Sequence, residues 1–82
     1  MSREDIDEFE ELERKFLQKA YYIARMGKGV ACTWDVAKQL GMNELEMDYV
    51  VDHLRKKGFV EYVGGALFIR ITPLGIKQVK KY

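Results

Sequence analysis

Between Leu40 and Tyr62 the chain reads LGMNELEMDYVVDHLRKKGFVEY, and its start and stop signals demand a turn, a helix and a strand in unbroken succession. Gly41 suits a tight turn that closes a preceding helix, and Asn43 can cap the first free N–H groups of the next one. Glu46, three residues on, completes a capping-box pattern. Met47, Val50, Val51 and Leu54 then recur at intervals of three and four, which puts them on one helical stripe that has to be buried. Arg55, Lys56 and Lys57 place positive charge at the negative end of the helix dipole, and Gly58 can stop the helix in the left-handed conformation. Phe59 to Val63 reads as a strand.

The flanking segments extend this order. Gly64-Gly65 followed by the β-rich run Ala66 to Ile71 predicts a hairpin with a two-residue turn. Thr72 can cap, and Pro73 fits the first turn of, a terminal helix whose apolar stripe is Ile76, Val79 and Tyr82. Upstream, Glu4 to Met26 carries Ile6, Phe9, Leu12, Phe16, Ala20 and Ile23 at helical spacing, with acids first and Lys19 and Arg25 last. Gly27-Lys28-Gly29 breaks that helix. Val30 to Cys32 is short enough only for a small strand, and Thr33 is a candidate cap for a helix from Trp34 to Leu40. The expected fold class is therefore α+β, mainly α: helix, short strand, helix, turn, helix, two-stranded hairpin, helix.

That order, carried by Val36-Ala37, Leu40-Gly41, the run from His53 to Val60 and the run from Ile71 to Gly75, resembles the winged helix-turn-helix regulators of the MarR and PadR type along about the whole chain. The resemblance implies a cytoplasmic transcriptional regulator that binds duplex DNA through its third helix and dimerises through its terminal helices. The winged-helix fold also serves in pure protein interaction, so the surface has to supply the function.

At 82 residues the sequence predicts one domain, 1–82, and a chain of this size buries only roughly 60–65% of its unfolded surface. The 48% hydrophobic and 33% charged composition suits a globular protein, no apolar run nears the roughly 18 residues of a membrane span, and no signal peptide is recognisable. The single Cys32 excludes an internal disulfide, and with one histidine it leaves too few soft ligands for a closed zinc site. An intracellular setting is expected. Cys32 itself reads as a small buried hydrophobe. No nucleophile with its base, phosphate loop or metal-spaced cluster is present, so neither catalysis nor a cofactor is expected.

The net charge of +1 conceals an asymmetry: residues 1–15 hold seven acids against three bases, −4 in all, so the remainder carries +5. The bases concentrate at Arg55 to Lys57 and at Lys77, Lys80 and Lys81, where phosphates could be met if the fold brings them together.

The solvent face expected of the third helix shows Leu45, Asp48, Tyr49, Asp52, His53 and Lys56. The candidate DNA contacts are Asn43, Asp48, Tyr49, His53, Lys56, Lys57 and Arg70. Asp48 and Asp52 occupy positions where base-reading arginines would be expected, and Leu45 with Tyr49 would equally make an apolar contact for a protein partner. The glycine tip with Arg70 behind it fits a structural hairpin or a minor-groove probe. Trp34 is expected to pack partly on the core.

The first helix carries more apolar surface than one inward stripe requires. A homodimer interface is therefore expected from Phe9, Leu17, Tyr21 and Tyr22 on that helix with Leu74, Ile76 and Val79 on the last.

Overall fold

In a computed structural model, described from Arg3 to Tyr82 with the exception of Ala66 and of the side chains before Glu8, the long helix α1 (Arg3–Met26) is the scaffold on which everything else packs. At 24 residues it measures about 36 Å, nearly the 39 Å long axis of the molecule. After the glycine break come β1 (Ala31–Cys32), α2 (Thr33–Leu40), α3 (Glu44–Lys56), β2 (Val60–Tyr62), β3 (Phe68–Ile71) and α4 (Pro73–Lys81). The three strands form one antiparallel sheet in the order β1-β3-β2, with Ala31 opposite Ile69 and Val60 opposite Ile71. The fold class is α+β and mainly α.

Apart from Leu17, the buried residues follow the helical and strand periods. Phe16, Leu17, Ala20 and Ala24 of α1, Val36 and Ala37 of α2, Met47, Val50, Val51 and Leu54 of α3, and Val60, Ile69 and Ile71 of the sheet form one core cluster. Phe9, Leu12 and Ile23 of the expected stripe are partly buried against it, while Ile6 lies outside the described side chains.

Local signals act where expected. Gly41 adopts φ 70°, ψ 26° and ends α2, its N–H directed at the carbonyls of Ala37 and Lys38. Asn43 and Glu46 form a reciprocal capping box: Asn43 Oδ1 accepts from the Glu46 N–H at 2.8 Å, and Glu46 Oε1 accepts from the Asn43 N–H at 3.1 Å. Gly58 follows α3 with φ 79°. Thr72 Oγ1 accepts from the Gly75 N–H at 3.1 Å and donates to the Gly58 carbonyl, so one hydroxyl caps α4 and ties it to the end of α3.

Three expectations are corrected. Thr33 does not cap α2: the helix begins at Thr33 itself, and the Thr33 hydroxyl donates to the Leu67 carbonyl at 3.0 Å, an acceptor 34 residues away. The hairpin does not close in two residues. Among the described residues the bonded pair nearest the tip is Val63 with Phe68, where β3 begins, and the strand start expected at Ala66 lies outside the described residues. Trp34, at the start of α2, stands on the surface, 46% exposed. Among the described residues no helix is long and apolar enough to cross a membrane.

Candidate functional site

The site that the sequence singles out is α3, and the structure divides it into a locked face and an open one. Met47, Val50, Val51 and Leu54 are buried against α1 and α2, fixing the helix about its own axis. On the other side Leu45 is 67% and Tyr49 64% exposed, and Asp48 lies beside them in solvent. Large apolar side chains that stay wet on a helix whose opposite face is fully packed form a surface available to a partner. Asn43 sits at the head of this face, but its side-chain oxygen is engaged by the cap.

The charged end of α3 is organised by carboxylates. Asp52 accepts from Lys56 Nζ at 3.1 Å and from Arg55 Nη2 at 3.1 Å, and these two donors, Lys56 foremost, hold its carboxyl below its ordinary value of 3.8. Arg55 also lies over the Tyr62 ring, 5.4 Å from its centroid, which joins the end of α3 to β2. Arg70, on the outer side of β3, is exposed and paired with Glu61 across the strands.

His53 is not on the open face, which corrects its placement among the outward-facing residues, and Lys57, a candidate DNA contact, lies on the same side as His53. Both turn toward α1, where Glu13 is buried to 3% exposure. His53 Nδ1 and Glu13 Oε1 share a hydrogen bond, and Lys57 Nζ donates to Glu13 Oε2 at 3.1 Å. Phe9 closes over this cluster with its ring edge-on to His53, centroids 5.3 Å apart at 64°. In the sequence Glu13 is one acid of an acidic run. Its position on the stripe side of α1, three residues before Phe16, was the signal that it would face inward.

The residues expected at a dimer interface separate as well. Leu17 is wholly buried in the core and is removed from that set. Phe9, Tyr21, Ile76 and Val79 are partly buried against the same core, and only Tyr22 and Leu74 are broadly exposed. Cys32, expected to be buried, is half-buried and free.

No family model, no curated protein and no solved structure matches this chain.

Proposed function

We propose that the chain is a small winged-helix DNA-binding protein, a transcriptional regulator acting inside the cell, which lays the open face of α3 against duplex DNA. The observation that carries the reading is the asymmetry of α3: one face locked by four buried side chains, the other uncovered, with the β2–β3 hairpin beside its basic end. A helix held by its inner stripe and bare on its outer one is what insertion into a groove about 12 Å wide requires. In this reading Leu45, Asp48 and Tyr49 meet base edges, Arg55 and Lys56 meet phosphates, and Arg70 approaches the backbone from the hairpin. Two copies joined through Tyr22 and Leu74, with Tyr21, Ile76 and Val79 around them, would present two such helices to half-sites about one DNA turn apart.

A second reading, a winged-helix module that binds protein and no nucleic acid, is favoured by a specific observation. The bases at the end of α3 and on the hairpin already have acidic partners in their own chain, and Leu45 and Tyr49 make an apolar pair one turn apart.

Titration of the protein into labelled mixed-sequence duplex by fluorescence anisotropy, between roughly 50 and 200 mM salt, separates the two. Binding that weakens steeply with salt supports the DNA reading. No binding at the lowest salt rejects it in favour of the protein module. Light scattering at tens of micromolar tests the dimer, and a mass near one chain excludes it.

A further inference from the structure

Glu13 is the one fully buried carboxylate among the residues whose burial is described, and both its partners come from the C-terminal end of α3, 40 and 44 residues away in sequence. This arrangement differs in kind from the other ion pairs at that end. Asp52 is itself only half-buried and its partners are exposed, and such a surface pair contributes little, so a phosphate can replace Asp52 as the partner of Lys56 or Arg55 at small cost. Release of Lys57 would leave the buried charge of Glu13 with His53 as its only remaining partner among the described residues, and a buried charge that loses a partner is penalised far more heavily. The faces that meet here are α1, with Glu10, Glu11, Arg14 and the edge of Phe9, and α3, with His53 and Lys57; Gln78 and Tyr82 of the α4 end line the same cleft.

Resting on the DNA reading above and deepening it, we infer that Glu13 is a positioning residue that withholds Lys57 from phosphate and leaves Arg55 and Lys56 as the phosphate-contacting residues of α3. Each lysine that neutralises a phosphate adds about 0.9 to the slope of log affinity against log salt, so the assignment has a countable consequence. Lys57→Ala leaves the wild-type slope unchanged, whereas Lys56→Ala flattens it by about 0.9. Glu13→Gln frees Lys57 and steepens the slope by about 0.9, an additional loss of affinity of roughly 3.5-fold between 50 and 200 mM salt. Combining Glu13→Gln with Lys57→Ala restores the wild-type slope.

A Lys57→Ala variant that flattens the slope, or a Glu13→Gln variant that folds and leaves it unchanged, overturns the inference. Lys57→Ala also strips Glu13 of a partner, so its slope is read at a temperature where circular dichroism shows the variant folded, and there it decides the question even where Glu13→Gln does not fold. Where no variant binds duplex at the lowest salt, the proposed function fails instead, and the hold of Glu13 on Lys57 is read from melting temperatures of the two single variants and the double. A double-variant loss smaller than the sum of the single losses supports it, and strict additivity overturns it.

Discussion

Replacing Gly75 by alanine sets two physical effects of opposite sign against each other. Gly75 lies in the first turns of α4 and is buried. Helix propensity alone favours the change by about 1 kcal/mol, because alanine has less backbone freedom to lose. The packing opposes it. A Cβ built on Gly75 would stand 2.8 Å from Ile71 Cγ2 and 2.9 Å from the carbonyl carbon of Phe59, and closer still to the Phe59 oxygen. That carbonyl cannot step aside freely, since it accepts from the Thr72 N–H at 3.0 Å, and the Phe59 N–H is in turn bound to the Leu54 carbonyl at 3.0 Å. Overpacking of this kind costs about 1–3 kcal/mol, and a disturbed backbone hydrogen bond adds about 1 kcal/mol more. The balance is a net loss of about 1–3 kcal/mol. For a domain of this size each kcal/mol moves the melting temperature by about 4–8 °C, so a fall of roughly 5–20 °C is expected by calorimetry or far-ultraviolet circular dichroism. Lys77→Ala, exposed on the same helix, serves as the control and should move it little. A Gly75→Ala protein that melts at or above the wild-type temperature would refute the close approach of α4 to the segment between α3 and β2.

Asn43→Ala removes one half of the capping box and should cost about 1 kcal/mol, seen as a lower urea midpoint at unchanged slope; an unmoved midpoint would reject the cap. The Asp52 carboxyl, followed by NMR, should titrate below 3.8, and Lys56→Ala should raise it more than Arg55→Ala. Because its folded value is depressed, the pair favours the folded state above the unfolded value and loses that effect as pH falls through the folded one; titration at or above 3.8 would contradict the geometry. Two leucines of one helix give the sharpest contrast: Leu54→Ala, at 1% exposure, should cost about 2–5 kcal/mol, and Leu45→Ala, at 67%, less than about 0.5 kcal/mol in thermal denaturation. Equal losses would mean that α3 is rotated about its axis.

Much of α3 was legible in the sequence because the signals that start and stop a helix act within four residues of the chain. Asn43 finds Glu46, Gly58 takes a positive φ, and Thr72 caps the helix that Pro73 opens, all without reference to the rest of the molecule. What was not legible depends on which distant segment docks where. Thr33 has the side chain of a cap and sits at a helix start, yet the pairing of β1 with β3 brings the Leu67 carbonyl within reach, and the hydroxyl goes there. Leu17 looks like surplus apolar surface on a helical projection, but α2, α3, α4 and two strands all pack on α1, so its buried arc is wider than one stripe. Glu13 was hidden for the same reason: its partners belong to another helix, and an acidic run looks solvated until the fold covers one of its members.

The chemistry of the open face of α3 limits how a DNA complex of the proposed kind could discriminate between sequences. Its one amide side chain, Asn43, is engaged in the cap, and its bases cluster at the far end, where Asp52 holds Arg55 and Lys56. No guanidinium or amide is therefore left on the first two turns to bond guanine or adenine in two places, the pairings that discriminate by about 1–3 kcal/mol each. Asp48 can accept from a cytosine amino group, and Leu45 and Tyr49 can pack on thymine methyls. Each is a single contact, and Asp48 and Asp52, one turn apart, oppose the phosphates as they do so. Such a face would favour pyrimidines on the contacted strand, weakly, and would take most of its affinity from the salt-sensitive end at Arg55 and Lys56. The same Leu45, Asp48 and Tyr49 that would read DNA so sparingly form a compact apolar and acidic surface, which a basic protein segment could match without any of that electrostatic opposition.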